Sequence, residues 1–598
     1  MNLKKICTTS VFTVLTFSTA TDAALGPIPI YLNTEYRTSS PVIDSIASTL
    51  TFSEEDIKST GAGTFLEFLD SVPSVNLFNT QGNIPAVFMR GGDSYHTLVL
   101  VDGISINDIS GNKGAVEYGL ISVPLNDIEK IEIVKGSGSV LYGSSAISGV
   151  IAITTKKGAD GKNASVSFRY GSNNSKTYSL SVNEGSKDGF VRFTHNKYSS
   201  DGINARTDDT SNEKDSLSNQ ATQIKAGNEH FDITYLVTNN KTEYDAWNGA
   251  NTEDLGDKDL TKLSFNINNK FSKEWKYKIL FAQTETHRNS GVNAATIGNK
   301  YKSTALTMLN YIRSNDALLN VGLSKFDDEN ITKSHKLSSS EIFINWQKNI
   351  FDLDVNTGLR YINHSDFGNK IIYNLGAAKY INNDIKLTSN FGTTFKTPTL
   401  VQIIGTGDAW YQPNPNIKPE TSKNIELGIE KKYELGSSGI KIFQNKTNNY
   451  FNYRDSMYFN EDSYKATGLE LFGDINIYGY NVSFDHTYSK SIKNNIVTQQ
   501  KRPKNITNLA LNKQYAKFNS RAQVVRKSSS TDQNANNPMN GYTLVNLSTK
   551  YNLSDNINAL LSINNVFDKD YKTADVYGST HTFNNPGRRV TIGLDYSF

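Results

Sequence analysis

The stretch Val-Thr-Ile-Gly-Leu-Asp-Tyr-Ser-Phe, residues Val590 to Phe598, alternates apolar with small or polar side chains without a break. A period of two puts the apolar set on one face of a β-strand and the other set on the opposite face. A terminal aromatic residue on such a strand is typical of a membrane β-barrel, in which one face contacts lipid and the other a polar lumen. An edge strand of a soluble sandwich has the same pattern, so the remaining residues decide between the two.

The composition excludes a membrane bundle of helices. Of the 598 residues, 37% are hydrophobic, and the mean hydropathy is −0.47. Beyond position 25 no uninterrupted apolar run reaches the length of about 18 residues that a spanning helix needs. Tyrosine (31 residues) and phenylalanine (29) are abundant, which suits strands and interfacial girdles. The formal net charge of +3 indicates no nucleic-acid partner.

Residues 1–23 have the features of a secretory signal peptide. Two lysines are followed by the apolar run 11–17 and by small residues that suit cleavage after Ala20 or Ala23. The single cysteine, Cys7, lies within this segment. We therefore expect an exported mature chain that does not rely on disulfides.

A compact α+β unit is predicted over residues 41–157, after a flexible segment over residues 24–40. Ser53 and Asp56 form a capping-box-like helix start, and Thr64 to Leu69 predicts a second short helix. The apolar runs that predict strands in this unit are Ala86–Met89, Thr97–Val101, Ile128–Val134 and Ile147–Thr155.

From Ala164 onward, the alternation of the last strand recurs. Val166, Phe168 and Tyr170 alternate with polar residues, and similar runs separated by turns rich in Asn, Asp and Gly continue for about 435 residues. At about 20 residues for a strand and its loop, this length gives a strand number in the low twenties. Barrels of about 22 strands are wide enough to hold a plug.

These features predict a membrane all-β fold. We expect a transmembrane antiparallel β-barrel of about 22 strands over residues 158–598, with the N-terminal α+β domain as a plug inside the lumen. The alternative is an exported all-β protein such as an adhesin or a stack of sandwiches. The absence of disulfides and linkers and the terminal strand favour the barrel.

Arg90 and Asp102 each follow an apolar run of the predicted plug. A buried guanidinium needs a carboxylate partner, and we expect that partner to be Asp102, Glu129 or Glu132. Arg90 and Asp102 are therefore interpreted as structural residues of the plug. Ser, His and Asp are scattered without a nucleophile elbow or a metal-binding histidine spacing, so nothing predicts an enzyme.

Several motifs resemble those of the TonB-dependent outer-membrane receptors and follow one another in that family's order. Those in the plug are Phe88-Met-Arg-Gly-Gly, Leu98-Val-Leu-Val-Asp-Gly-Ile and the run from Ile131 to Ile151. Those in the barrel are Phe391-Gly-Thr-Thr-Phe-Lys-Thr-Pro-Thr-Leu, Asn414-Pro-Asn-Ile-Lys-Pro-Glu, Ile563-Asn-Asn-Val-Phe-Asp-Lys-Asp-Tyr and Pro586-Gly-Arg.

The resemblance implies a transporter of the bacterial outer membrane that spends no ATP of its own. A substrate binds outside on plug and loops, and TonB with the inner-membrane energy complex pulls on the N-terminal segment. We expect a monomer surrounded by outer-membrane lipid. The pull works by strand addition, in which backbone hydrogen bonds supply a grip that tolerates sequence change.

The resemblance also assigns two sets of residues. The TonB box is matched by Pro29, Ile30, Tyr31, Leu32, Asn33, Thr34 and Glu35. It departs from the usual box, since Asn33 replaces an aliphatic residue and Pro29 an acidic one. The substrate contacts in the outward plug loops are matched by Ile84, Ala86, Asp93, Gly111 and Asn112, which do not repeat the family's identities.

Within the family, the chain most resembles the cobalamin receptors, whose outer loops carry an acidic pattern. The matching residues are Asp201, Glu213, Asp215, Tyr244, Asp245 and Asp257. Carboxylates and a backbone carbonyl from two adjacent loops suit the roughly six to eight oxygen ligands that calcium takes. The alternative is a solvated loop rich in Asn and Asp. We expect no covalent cofactor, with Ca²⁺ in the outer loops.

The leading hypothesis is therefore active import of cobalamin or a related corrinoid. A second hypothesis keeps the receptor and changes the cargo to a ferric siderophore or haem. A third is a surface adhesin or phage receptor that transports nothing.

Overall fold

The computed structural model describes residues 31–32, 40–41, 46–80, 84–116, 123–211, 213–245, 254–292, 297–314, 317–407, 411–498, 500–531, 538–576 and 580–598. The predicted signal peptide lies outside these residues, and so does the predicted TonB box except for Tyr31 and Leu32. Those two form strand β1 (Tyr31–Leu32), which pairs with β2 (Ser40–Pro41). Within the described residues, no helix is long and apolar enough to cross a bilayer.

The plug combines short strands with three short helices. The strands are β3 (Ser48–Ser53), β4 (Val75–Thr80), β5 (Ile84–Met89), β6 (Thr97–Val101), β7 (Ile104–Ser105), β8 (Ile128–Lys135) and β9 (Gly149–Thr155). The helices are α1 (Glu54–Ser59), α2 (Phe65–Asp70) and α3 (Ser139–Tyr142), with 3₁₀ turns at Ser94–His96 and Leu125–Asp127. One sheet has the order β3–β8–β9–β6–β7, in which β6 and β9 run parallel, and β4 and β5 form a separate hairpin.

The local signals for helices are confirmed. Ser53 Oγ accepts a hydrogen bond from the Asp56 backbone N–H at 3.2 Å, and the Asp56 carboxylate accepts one from the Ser53 N–H at 2.8 Å. This capping box satisfies two donors at the start of α1. Phe65, Phe68 and Leu69 of α2 are fully buried in the plug core, which lies between α1, α2 and the larger sheet. The four predicted plug strands are present, with ends shifted by no more than two residues.

Long antiparallel strands form the wall around the plug. They are β10 (Gly161–Gly171), β11 (Ser175–Ser186), β12 (Gly189–Ser200), β13 (Leu217–Gly227), β14 (Phe231–Tyr244), β15 (Asp254–Lys270), β16 (Trp275–Val292), β17 (Ile297–Ser314), β18 (Ala317–Asn330), β19 (His335–Ile350), β20 (Leu353–His364), β21 (Gly368–Asn382), β22 (Ile385–Lys396), β23 (Glu420–Tyr433), β24 (Gly436–Arg454), β25 (Met457–Ile477), β26 (Tyr480–Lys493), β27 (Ile496–Thr498), β28 (Asn505–Tyr515), β29 (Phe518–Lys527), β30 (Tyr542–Asn552), β31 (Ile557–Asn564) and β32 (Arg589–Ser597). A fourth helix, α4 (Leu400–Ile404), lies in the loop between β22 and β23.

These strands close into a ring. Among the described residues the ring has 22 members, because β26 pairs directly with β28 and the three-residue β27 only pairs antiparallel with the last residues of β26. Strand β32 pairs with β10, with Tyr596 opposite Val166. The predicted barrel and its strand number are confirmed.

The outer face of the ring is apolar and the inner face polar. In β10, Val166 and Tyr170 are 43% and 44% exposed, whereas Ser167 is buried against the lumen contents. The apolar residues of β32 and Phe598 are exposed in the same way. An exposed apolar band is stable only where hydrocarbon replaces water, so the two faces predicted for this strand are those of a membrane barrel.

Loop lengths orient the barrel in the membrane. Two-residue turns such as 187–188 and 351–352 join strands at one end, whereas the loops 201–216, 397–419 and 565–588 lie at the other. Short periplasmic turns and longer extracellular loops are characteristic of outer-membrane barrels. The end with the long loops is therefore extracellular.

Candidate functional site

The hairpin β4–β5 carries two of the predicted substrate residues to the extracellular side of the plug. Ile84 is half-buried, and Ala86 packs against an apolar cluster that joins the hairpin to loops 201–216 and 565–588. The buried members of this cluster are Phe78, Phe88, Ala205, Ala574, Val576 and Phe583. The two loops therefore rest directly on the plug.

Asp93 lies deeper, and its carboxylate is engaged with the barrel. The Tyr450 hydroxyl donates to Asp93 Oδ2 at 2.7 Å, and the Arg502 guanidinium donates to the same oxygen at 3.1 Å. Burial alone would raise the pKa of Asp93, but Lys113 and Arg502 hold that pKa well below its usual range. Asp93 thus ties the plug to β24 and to the loop after β26.

Gly111 and Asn112 lie under a different loop, 397–419. Asn112 Nδ2 donates to the Tyr411 hydroxyl at 2.8 Å. Tyr411 in turn lies against Tyr453, with 5.6 Å between ring centroids, and Tyr453 is 39% exposed. An amide beside partly exposed aromatic rings offers both stacking surface and hydrogen bonds to a large ligand.

Three of the six predicted calcium ligands come together. Glu213, Asp215 and Asp245 each offer a carboxylate oxygen, and these oxygens lie within 4.8 Å of one another. Asp215 and Asp245 are 2% and 0% exposed. Neither oxygen of Asp245 has a hydrogen-bond donor among the described residues. Buried carboxylates without donors are costly, so this arrangement of hard oxygen ligands suits a cation such as Ca²⁺.

The pKa shifts of these loop carboxylates also favour a bound cation. Burial, and next the neighbouring Asp245, raise the pKa of Asp215 to about 7. Burial and the nearby Glu213 raise the pKa of Asp245 to about 7. Near neutral pH the carboxyl groups of Asp215 and Asp245 are therefore partly protonated unless a cation neutralises them.

Hydrogen bonds connect this acidic cluster to the plug hairpin. The Ala205 N–H donates to Asp215 Oδ2 at 2.9 Å, and Ala205 itself packs in the apolar cluster on the hairpin. Asn584 of loop 565–588 donates its backbone N–H to the Ala205 carbonyl at 2.6 Å. These hydrogen bonds thus join the acidic cluster to loops 201–216 and 565–588 above the plug.

Of the other three predicted calcium ligands, Asp201 and Asp257 lie outside this group, whereas Tyr244 directly precedes Asp245. Asp201 is exposed and accepts a hydrogen bond from Asn174 Nδ2 at 3.2 Å. Asp257 is a half-buried residue within β15, opposite Lys241 of β14. Tyr244 ends β14 immediately before Asp245, and its backbone carbonyl is the group that the sequence resemblance assigns to the ion.

Arg90 is held by the barrel and not by the plug. Its Nε and Nη2 donate to the two oxygens of Glu470 at 3.0 and 2.7 Å, and its Nη1 contacts Glu426. Lys135 adds a second cation 3.2 Å from Glu470. These glutamates lie 336 and 380 residues beyond Arg90 in the chain. The partners predicted within the plug were wrong: Asp102, Glu129 and Glu132.

Asp102 has a different cationic partner. Its carboxylate accepts hydrogen bonds from the Thr155 N–H at 2.8 Å and the Thr155 hydroxyl at 2.6 Å. Lys225 of β13 donates to it at 3.0 Å. Asp102 therefore joins the end of β6 to β9 and to the barrel wall.

A third lumen-facing glutamate, which the sequence predictions missed, holds the turn after β5. Glu420 accepts hydrogen bonds from the Tyr95 hydroxyl at 3.0 Å and the Phe451 N–H at 2.7 Å, and it lies 2.7 Å from His96 Nε2. For Glu426 and Glu470 the sequence signal was a single acid between apolar neighbours in an alternating strand, as in Leu469-Glu470-Leu471. Glu420 lacks that signal, because it lies between Pro419 and Thr421.

Two family models match consecutive parts of the chain. The TonB-dependent Receptor Plug Domain matches residues 41–150, and the TonB dependent receptor-like β-barrel matches residues 151–566. The chain belongs to the TonB-dependent receptors. As a member of this family it is a receptor and transporter of the outer membrane that works with TonB, and it is not an enzyme.

Curated relatives match this TonB-dependent receptor over most of its length. The vitamin B12 transporter BtuB of Photobacterium profundum is 25% identical over 582 residues, covering 91% of this chain and 92% of the relative. The vitamin B12 transporter BtuB of Vibrio cholerae serotype O1 is 24% identical over 631 residues, covering 99% of both chains.

Solved structures share the fold. The siderophore receptor PirA from Acinetobacter baumannii superposes with a TM-score of 0.79 at 17% identity, covering 92% of this chain and 98% of that one. A point mutant of the ferric enterobactin receptor PfeA from Pseudomonas aeruginosa, in complex with enterobactin, gives 0.78 at 17% identity, with 93% and 100% covered. At these identities the likeness concerns the fold alone.

Proposed function

We propose that this TonB-dependent receptor imports cobalamin or a related corrinoid across the outer membrane. The observation that carries the proposal is the similarity to vitamin B12 transporters at 24–25% identity, extending over 91–99% of the chain. The match covers the plug and the barrel alike, although the predicted substrate contacts do not repeat the family's identities. The acidic outer-loop cluster supports the same assignment.

The ligand is expected to rest on the extracellular side of the plug. Asn112 and the tyrosines Tyr411 and Tyr453 form one side of this surface, and hairpin β4–β5 forms the other. A corrinoid has a broad, nearly flat ring with amide side chains. Aromatic surface and side-chain amides complement these two features.

We infer that Glu213, Asp215 and Asp245 hold one Ca²⁺ when the receptor binds its cargo. The bound ion would neutralise three crowded carboxylates, of which Asp245 has no hydrogen-bond donor among the described residues. Through the Ala205 N–H, ordering Asp215 orders loop 201–216 against the hairpin. Calcium should therefore tighten cargo binding through the loops.

We further propose that Pro29 to Glu35 is the segment that TonB grips by strand addition. Deleting these seven residues should abolish uptake of radiolabelled cyanocobalamin while binding at the cell surface is retained. A non-transporting adhesin or phage receptor would be unaffected in both measurements.

Isothermal titration calorimetry on the detergent-purified receptor tests the cargo. We expect cyanocobalamin to bind at micromolar or lower concentrations, and more tightly with Ca²⁺ than with a chelator. No heat with cyanocobalamin, together with growth rescue by a ferric siderophore or haem under iron starvation, would overturn the corrinoid assignment in favour of an iron source.

A matched pair of variants tests the ion site. Asp245→Asn should remove the calcium dependence of cyanocobalamin affinity, because it removes a carboxylate of the three-membered group. Asp201→Asn makes the same chemical change in a predicted ligand outside that group and should retain the dependence. The opposite result would exclude the three-residue site.

A further inference from the structure

Two cavities lie along one side of the plug. The upper one, of about 290 Å³, lies between the plug segment 98–109 and the barrel wall from β13 to β22, and its upper end reaches Thr399 and Leu400 in the extracellular loop 397–419. The lower one, of about 910 Å³, extends along the same wall to the periplasmic turn at Glu229 and His230. Together they extend along the plug from one side of the membrane towards the other.

A narrow apolar neck separates the two cavities. Five residues line both of them: Leu100, Gly103, Tyr142, Thr155 and Leu280. Tyr142 packs against the plug cluster that contains Leu100 and also against the wall cluster that contains Leu280. A Cβ atom on Gly103 would lie 3.4 Å from Leu280 Cδ1, so the plug backbone comes close to the wall at this point.

The plug element beside the neck is the least supported strand of the larger sheet. Strand β7 is an edge strand joined to β6 by only two residue pairs, Leu100 with Ser105 and Val101 with Ile104. The segment after it is held to β6 by the Ile106 N–H, which donates to the Val99 carbonyl at 3.0 Å, and by Asn107 Oδ1, which accepts from the Val99 N–H at 2.9 Å. It is held to the wall through Asp108, which lies 2.7 Å from Lys258. Elements with few ladder bonds open at the lowest free-energy cost.

We propose that the cargo passes the plug along this side, and that the neck formed by Leu100, Tyr142 and Leu280 is the closed gate of that path. The upper cavity has a volume of only about 290 Å³, so a large cargo requires movement of the plug. The segment that moves is β7 with the residues up to Asp108. The proposal rests on transport by this receptor, but not on the identity of the cargo.

Single-channel recording in planar lipid bilayers tests the gate without TonB or a cargo. The wild-type receptor should conduct little, because Leu280 and Tyr142 close the neck. Leu280→Ala, and more strongly Leu280→Ala with Tyr142→Ala, should raise the conductance several-fold by joining the two cavities.

Two matched controls locate the effect. Leu544→Ala truncates a buried residue on the other side of the barrel, away from both cavities, and Leu306→Ala truncates a lipid-facing leucine that is 45% exposed. Neither should raise the conductance. If Leu280→Ala conducts no more than wild type, or if Leu544→Ala conducts equally, the proposed path is wrong.

Folding of the variants is checked by heat-modifiable migration on gels. Should the alanine variants fail to fold, Leu280→Val removes one methylene and should still conduct more than Leu544→Val. Equal conductance of the two valine variants would also overturn the proposal. If cyanocobalamin proves not to bind, these recordings still decide whether the gate exists.

Discussion

The plug meets the barrel in two different ways on its two sides. Towards β23 and β25 it is fixed by buried ion pairs, in which Arg90 contacts Glu426 and Glu470, and Lys135 contacts Glu470. Towards β13–β22 it faces two cavities, and the ion pairs there are those of Asp102 with Lys225 and of Asp108 with Lys258. The anchored side holds the plug in register, and the hollow side leaves room for part of it to move.

The largest effect is expected from breaking the anchored side. Glu470→Gln removes one charge from a buried cluster. It leaves Arg90 with Glu426 and takes from Lys135 its ion-pair carboxylate, which should lower the free energy of unfolding by about 3–5 kcal/mol. Chemical denaturation followed by tryptophan fluorescence measures this loss of unfolding free energy. The control Glu184→Gln changes an exposed ion pair with Lys162 and should have no measurable effect. Equal midpoints for the two variants would mean that the buried cluster does not anchor the plug.

A smaller, local effect is expected on the hollow side. Asp108→Asn weakens the contacts to Lys258 and Arg288, which lie 2.7 and 3.6 Å away. Opening of the segment 103–116 should become easier by about 1–3 kcal/mol. Hydrogen–deuterium exchange should report faster exchange in this segment, with β8 and β9 unchanged. Equally faster hydrogen exchange throughout the plug would contradict the proposed difference between its anchored side and its hollow side.

The smallest effect concerns the outer loops and depends on pH. The carboxyl groups of Asp215 and Asp245 have pKa values raised from 3.8 to about 7. The ordered loop thus binds more protons than an opened loop, so its stability is greatest at low pH and falls as the pH rises through about 7. Proteolysis of loop 201–216 should increase from about pH 6 to about pH 8 without Ca²⁺, and saturating Ca²⁺ should suppress the increase.

The control for this titration is again Asp245→Asn, which should flatten the pH dependence because one of the two perturbed groups is gone. The other charged groups facing the pair are Arg206, Asp208, Asp209, Glu213 and Glu243. A pH dependence that persists unchanged in this variant would assign the effect to one of them.

The sequence predicted the features that depend on neighbouring residues. Period-two alternation predicted the two faces of β32, and the capping residues Ser53 and Asp56 predicted the start of α1. Both are set by backbone geometry over a few residues, so they can be recognised without tertiary structure. The strand number followed because a closed ring of similar strands has a nearly constant length per strand.

Contacts between plug and wall could not be predicted in the same way. Arg90 was recognised as needing a carboxylate, but its partners lie more than 300 residues further on, and many lumen-facing acids are equally plausible from the sequence. The cavities carry no pattern at all, because they arise where opposing side chains do not meet. The acidic loops could be predicted in part: the resemblance assigned six calcium ligands, and the structure brings the carboxylates of three of them together.

The seam between β10 and β32 has a consequence for biogenesis. Its partners, such as Val166 and Tyr596, are about 430 residues apart, so the ring closes only after every other strand has been made. Until then β10 exposes unpaired backbone hydrogen-bonding groups and an apolar outer face to water, and both promote aggregation. Ring closure must therefore be protected from water or catalysed. Once the ring has closed, the plug can change conformation inside the barrel but cannot be exchanged.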